Sequence, residues 1–269
     1  EDANAHVQVI ERMFPLGVGA RTQFLFAEGH AGIVLHLEIQ KSRDVVKTTA
    51  NEVYVRKGAQ NLPVSTADAL ERLRLNKGIS SFESQTINVP IEVIENSEDT
   101  IGFMLDVVPH QEPERWLRKQ MLVIEDKPTV AGAVLFAEEP QALIPKRCGV
   151  KIYRYRTVES EGTRESLDGL PRTIEGCAYR QIYAAVSATK NIVEGIRKMT
   201  PLGLVSVEYP EETLHEIITN AVLHRDYSIP DDIHIRIYDN RIEVESPGTL
   251  AGHITPHNIL DERFSRNGN

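Results

Sequence analysis

The chain has 269 residues, with 30 Lys plus Arg against 39 Asp plus Glu, a formal charge of −9, and 41 % apolar residues. These proportions exclude collagen-like, low-complexity and wholly disordered chains, and at roughly 100–200 residues per domain the length suits two domains. No apolar run approaches the roughly 18 residues of a membrane span; the longest is Val130 to Ala137. The start, Glu1-Asp2-Ala3-Asn4, lacks the basic and apolar stretches of a signal peptide. Two cysteines, Cys148 and Cys177, exclude a disulfide scaffold and a four-cysteine zinc site. A cytoplasmic location with buried, reduced thiols is expected. The charge is uneven, −5 over residues 1–110, +3 over 111–200 and −7 over 201–269. That excludes a basic stripe along the whole chain, so any phosphate-tracking surface must be local.

In chain order, residues 6–12 read as a strand, and residues 32–40 as another, alternating at Ile33, Leu35, Leu37 and Ile39. Val53 to Arg56 reads as a third strand ending at the turn signal Lys57-Gly58. A helix is expected over 66–76, capped by Ser65 or Thr66, whose hydroxyl accepts from a free backbone N–H. Residues 79–110 read as strand-like and acidic. Pro128 marks the start of a helical run from Val130 towards Pro140. Gly149 to Arg156 reads as a strand, 157–174 as a loop, and 177–198 as a long helix packing through Ile182, Val186, Ile192, Val193 and Ile196. Pro210 opens a helix over 211–223. Ile233–Tyr238 and Arg241–Glu245 form a hairpin around Asp239-Asn240. Strands interleaved with helices give an α/β or α+β fold.

The stretch from Tyr209 to Gly248 carries the most chemistry. On its helix Leu214, Ile217, Ile218, Ala221 and Val222 cluster on one face. Glu216 and Asn220 lie one turn apart on nearly the opposite side, where they reach one site together. A carboxylate can act as a base on water, and an amide oxygen can ligate Mg²⁺ beside phosphates. From spacing alone, the pair reads first as the wet face of an amphipathic helix.

The order Glu216-x-x-x-Asn220, His224-Arg225-Asp226-Tyr227, a hairpin, then Glu245-Ser246-Pro247-Gly248 resembles the start of a GHKL-type ATP-binding domain, the class found in gyrase and histidine kinases. More closely, Glu208-Tyr209-Pro210 through Ser246-Pro247-Gly248, ending at Ser265-Arg266-Asn267, resembles the bacterial RecG C-terminal-like ATP-binding family. The resemblance implies ATP and Mg²⁺ as cofactors, Glu216 as the water-activating base and Asn220 as a Mg²⁺ ligand. It places Ser246 and Gly248 where the class carries an Asp-x-Gly that reads the adenine amino group. Here a serine stands for the aspartate. Upstream, Glu52 to Gly58, then Asn61-Leu62-Pro63 and the following helix, resemble the end of an AlbA-type, or Schlafen AlbA-like, DNA-binding domain. Lys127 to Phe136 and Gln141 to Pro145 resemble the region linking the two. The expected organisation is an AlbA-like module over 1–76, a linking α/β region over 77–200, and the first part of a GHKL-like α/β sandwich over 201–269, cut at both ends.

The resemblance implies an ATP-linked regulator acting on DNA or RNA, with no membrane partner; GHKL domains often pair, which makes a homo-oligomer compatible. Arg56 and Lys57 at a strand end offer forked and point-charge donors to a phosphate backbone, or form an ordinary solvent-facing pair. Lys151 and Arg154, in a segment that interleaves basic residues with Tyr153 and Tyr155, could track a backbone while the rings stack bases. The bland reading is an edge strand. Two alternatives stand beside the ATP-linked reading: a non-catalytic scaffold with a degenerate nucleotide fold, which Ser246 favours, and a Schlafen-like metal-dependent nuclease. Other signals carry little. His224-Arg225-Asp226 spells a kinase catalytic loop, but Asp231 stands where a kinase needs asparagine. His253 and His257 flank Pro256 and read as a surface loop.

Overall fold

The computed structural model describes residues 3–248 apart from 14–19, 27, 30, 31, 40, 41, 43, 78, 145, 146 and 202. The fold is mixed α+β, in two units that divide between Ile79 and Ser80.

The first unit opens with helix α1 (Ala3–Met13), where the sequence suggested a strand over 6–12. Val7 and Ile10, three apart, are the half-buried positions, while Val9 is 51 % exposed. That is helical spacing, not strand alternation. Strands β1 (Ala20–Leu25) and β2 (Val34–Ile39) pair antiparallel, from Ala20 opposite Ile39 to Leu25 opposite Val34. Leu35 and Leu37 are half-buried, as their alternation requires, while Ile33 and Ile39 stay exposed. Strands β3 (Tyr54–Lys57) and β4 (Gln60–Pro63) form an exposed hairpin turning at Gly58. Helix α2 (Ala67–Lys77) begins at Thr66, whose hydroxyl accepts from the Ala69 N–H at 3.2 Å.

The second unit starts with helices where residues 79–110 had suggested strands: α3 (Glu92–Glu95) and α4 (Glu98–Val107). Ser97 accepts from the Thr100 N–H at 3.1 Å, and Glu98 and Asp99 sit in the first turn. A hydroxyl cap followed by carboxylates suits the positive end of a helix, so the acidic run is a helix start. Helix α5 (Pro113–Lys119) follows. Strands β5 (Val123–Ile124) and β6 (Lys127–Pro128) form a tight hairpin through Glu125 and Asp126, both at positive φ. Next come α6 (Val130–Phe136), capped by Thr129, and the short α7 (Pro140–Leu143). A small core forms here from Ile94, Leu117, Leu122, Val123, Ala133 and Phe136, edged by the mutually packed rings of Phe103, Trp116 and Phe136.

The main core lies further along. It is built from β7 (Val150–Arg154), β8 (Arg172–Ile174), α8 (Ala178–Glu194), the hairpin β9 (Arg197–Thr200) with β10 (Gly203–Ser206), α9 (Glu211–His224), β11 (Ile233–Ile237) and β12 (Ile242–Glu245). The sheet order is β12-β11-β7-β8, with β7 and β11 parallel and the outer pairs antiparallel. Parallel neighbours need a crossover, and α8 and α9, packed together, supply it. Val150, Ile152, Ile233, Ile235 and Ile237 are all at most 2 % exposed and pack in one core with Ile182, Val186 and Ile218 of the two helices. Each such side chain contributes about 1.5–3 kcal/mol of burial. Because β7 pairs with β11, the boundary expected at 200/201 runs inside this unit, between strands of one sheet. Among the described residues no helix is long and apolar enough to cross a membrane.

Candidate nucleotide site

Helix α9 buries Leu214, Ile218, Ala221 and Val222 against the sheet and α8. Ile217, expected on that buried face, is 46 % exposed. It lies at the edge of a stripe narrower than the apolar run suggests. Glu216 and Asn220 are exposed on the outer side, one turn apart, as their spacing requires.

The last turn of α9 is fastened by side chains. A helix leaves its last four carbonyls without helical partners. The Ser246 hydroxyl donates to the Ala221 carbonyl at 3.0 Å, and the Tyr227 hydroxyl donates to that of Val222 at 2.9 Å. Burial pushes the Tyr227 phenol well above its usual range, so it stays a donor. The Asp226 N–H donates to the Pro247 carbonyl at 2.8 Å. The end of β12 is thereby laid along the end of α9. Ser246 and Gly248 come to the helix that carries Asn220 and Glu216, and Gly248 takes a φ of 150° that a glycine adopts readily.

Ser246 is thus a capping donor as well as a candidate base contact. With its proton committed to Ala221, the hydroxyl offers only lone pairs outward. Ser246→Ala is expected to cost about 1 kcal/mol, the net worth of one such hydrogen bond, read as a lower urea midpoint with an unchanged slope.

The His224-Arg225-Asp226 tripeptide closes the helix, and its arginine was missed as a structural residue. Arg225 is 1 % exposed. It donates through Nη2 to the Arg147 carbonyl at 3.1 Å and to the Asp231 carbonyl, and its guanidinium lies 4.9 Å from the Tyr227 ring. Asp226 accepts from the N–H and hydroxyl of Ser228, forming a local turn. The sequence signal was available in the helix-ending Arg-Asp-Tyr-Ser, but a buried arginine serving two carbonyls needs the tertiary neighbours to be seen.

The basic candidates stand on elements other than α9. Arg56 and Lys57 sit on the exposed β3–β4 hairpin, with Arg56 Nη1 donating to Asn61 Oδ1 at 3.0 Å. Lys151 pairs with Asp232 at 3.1 Å. Arg154 is taken up by Asp239 and by the carbonyls of Tyr155 and Ile237. The neighbouring rings are turned on one another. Tyr153 stacks on Tyr155 at 6.1 Å, Tyr155 on Tyr238 at 5.4 Å, and Arg241 covers Tyr238 at 3.8 Å. A Cβ added to Gly162 would fall 2.4 Å from the Tyr155 ring, so the loop expected over 157–174 lies directly on it. This basic and aromatic segment ties β7 to β11 and to that loop.

A cleft of about 580 Å³ opens at the start of β7, among Arg147, Cys148, Lys151, Glu175 and Asp232. It includes neither Glu216 nor Asn220. Both cysteines are buried and unbonded; burial pushes the Cys148 thiol up to about 11 and raises that of Cys177, so both are poor nucleophiles. Ser265 to Asn267 and the pair His253 and His257 lie outside the described residues. Among the described residues no group of three or more His, Cys, Asp or Glu side chains is placed to hold a metal. A magnesium nucleotide needs less from the protein, because phosphates and water fill most of the ion's coordination. The exposed amide of Asn220 and carboxylate of Glu216 are hard oxygen donors that suit it.

Residues 231–269 match a family model described as "Putative ATP-dependent DNA helicase recG C-terminal". No curated protein matches the chain. Among solved structures, the chain is similar to the DIP2311 protein from Corynebacterium diphtheriae, at 18 % identity and a TM-score of 0.50. The match covers 93 % of this chain and 49 % of that one, so the chain spans about half the length of its structural neighbour. At this identity the likeness is one of fold. The family match begins at Asp231 and takes in β11, β12, Ser246 and Gly248, the strand end fastened to α9.

Proposed function

We propose that the protein is an ATP-linked, nucleic-acid-associated regulator, in which Mg-ATP bound over the Glu216 and Asn220 face of α9 controls an AlbA-like module in the N-terminal unit. The observation that supports this reading is the fastening of β12, which lies in the segment that matches the RecG C-terminal family, to the end of α9, which precedes that segment. It brings Ser246 to the helix that carries the Asn220 amide and the Glu216 carboxylate.

In this reading Asn220 holds Mg²⁺ through its amide oxygen, and Glu216 accepts a proton from water. Ser246 accepts from the base, and Gly248 leaves room for the nucleotide to approach the backbone. Magnesium, when bound, neutralises phosphate charge. Arg56 and Lys57 contact a nucleic-acid backbone on the exposed hairpin. Nucleotide alters that engagement by binding one arrangement of the protein better than another.

Calorimetric titration of the protein with Mg-ATP tests the proposal. The wild type is expected to release heat, Asn220→Ala to abolish it, and Glu216→Ala to keep binding while losing any turnover. Absence of heat from the wild type at millimolar nucleotide overturns the reading. It would favour the second one, a non-catalytic scaffold with a degenerate nucleotide fold. The capping bond of Ser246 supports that alternative, since helix closure alone accounts for a serine at this position.

A further inference from the structure

Two exposed apolar stripes meet beside the first turns of α8. Ile101 and Leu105 stand four apart on α4, and Tyr179 and Tyr183 four apart on α8, all between 47 and 68 % exposed. Side chains four apart share one helix face. The two tyrosine rings touch, with centroids 4.6 Å apart. Arg180 clamps the helices together, donating to Asp99 Oδ1 at 2.8 Å and to Glu98 Oε2 at 3.2 Å. The Tyr183 hydroxyl, and with it the Asp106 carboxylate beside Leu105, hold the Tyr179 phenol above its usual range, so the stripes lie side by side. Gly102 leaves open space where a side chain would stand. The result is a tyrosine-bearing apolar face bordered by the exposed carboxylates of Glu98 and Asp106. Large apolar groups gathered in this way mark a surface that another molecule covers.

The same chain carries a surface that fits this face. Strands β9 and β10 form a two-stranded sheet of their own, apart from the main sheet. Met199 and Leu204 lie directly opposite each other across it, 71 and 63 % exposed. Arg197, two residues before Met199, stands on the same side of the pleat and carries its charge at any working pH. An isolated two-stranded hairpin is marginal in water, and this one offers an apolar pair and a cation on one side. The hairpin begins after α8 ends, whereas Tyr179 and Tyr183 stand near the start of that helix. About 16–22 Å of helix separates them, and four-residue strands span only about 14 Å. The hairpin therefore reaches the face of another copy and not its own. Charge sets the mode of contact. Face against face would oppose Glu98 and Asp106 to their like, and hairpin against hairpin would oppose Arg197 to Arg197. Hairpin against face sets the cation beside carboxylates and tyrosine rings.

We propose that the β9–β10 hairpin of one copy docks on the α4–α8 face of a second copy. Met199 and Leu204 cover Leu105 and the tyrosines, and Arg197 stands among the bordering carboxylates. The contact is head-to-tail, so a pair keeps one hairpin and one face unused, and association continues until a ring closes. It uses neither Glu216 nor Asn220, and it stands whether or not nucleotide binds.

The test is sedimentation velocity of the full chain from about 1 to 100 μM, for the wild type, Leu105→Glu on the face and Met199→Glu on the hairpin. The wild type is expected to gain mass with concentration, beyond that of a dimer. Both substituted side chains are exposed in the single copy. Each variant is therefore expected to keep the circular dichroism and melting temperature of the wild type while its association weakens at least about tenfold. An equimolar mixture of the two variants is expected to stop at a dimer, because only the hairpin of Leu105→Glu and the face of Met199→Glu remain intact. The proposal is overturned if the wild type stays monomeric over this range, if either variant associates as the wild type does, or if the mixture forms no dimer. Association lost in one variant alone is the mark of a symmetric contact through a single surface, and overturns it as well.

Discussion

Arg225→Ala is expected to destabilise the larger unit by about 4 kcal/mol. The side chain is 1 % exposed and serves the carbonyls of Arg147 and Asp231, one just before β7 and the other just before β11. Truncation leaves two part-buried carbonyls without their donor, at about 1–3 kcal/mol each, and a void where the guanidinium lay against Tyr227. The two strands affected are the parallel pair at the centre of the sheet, so the loss is global and not a frayed end. For a unit of this size the melting temperature should fall by roughly 2–4 °C for each kcal/mol. Urea unfolding of Arg225→Ala and Arg225→Lys gives the decisive comparison. Lysine keeps a donor and should recover part of the loss. Equal stability of wild type and Arg225→Ala would mean that water serves both carbonyls as well as the guanidinium does.

The second large effect comes from a glycine within a helix. Gly132 lies in α6, where intrinsic propensity favours alanine by about 1 kcal/mol. Gly132→Ala is nevertheless expected to destabilise by about 3 kcal/mol. An added Cβ would stand 2.5 Å from the backbone oxygen of Leu122 and 3.2 Å from Cδ1 of Ile94. The nearer neighbour is main chain and cannot rotate away. It is also held in place, since the Leu122 carbonyl accepts from the N–H of Thr129 at 2.9 Å and from its hydroxyl at 3.2 Å. The same hydroxyl caps α6 by accepting from the Gly132 N–H at 3.1 Å. Moving the helix outward would therefore loosen its own cap. Propensity and contact predict opposite signs, so one denaturation curve decides between them. A more stable Gly132→Ala would show that α6 shifts at little cost.

Local patterns were sufficient where one residue type sets local geometry. The hairpin at Asp239-Asn240, the helix after Pro210 and the cap at Thr66 all follow from turn and capping chemistry within a few residues. The alternation of Ile233, Ile235 and Ile237 marks a half-buried strand before any partner is known. The pairing of Glu216 with Asn220 on one outer face is likewise a consequence of helical period. Local pattern failed at 6–12 and 79–110. In the first, a short run of Val7, Val9 and Ile10 is too brief to separate strand from helix. In the second, the carboxylates after Ser97 give no apolar alternation, and it is the Ser97 cap that makes them the start of a helix.

By itself, then, the sequence determined that the chain is mixed α and β and which side chains share the outer face of α9. Helical and strand periods are local properties of the backbone, and a sequence carries them in full. Only the tertiary structure decided that β7 lies parallel to β11, that Ser246 reaches the end of α9, and that Arg225 is buried. It also decided that Lys151 and Arg154, with their tyrosines, bind their own sheet and loop. Each of these joins residues tens of positions apart, and a partner brought in by the fold satisfies a polar group in a way that no local spacing encodes.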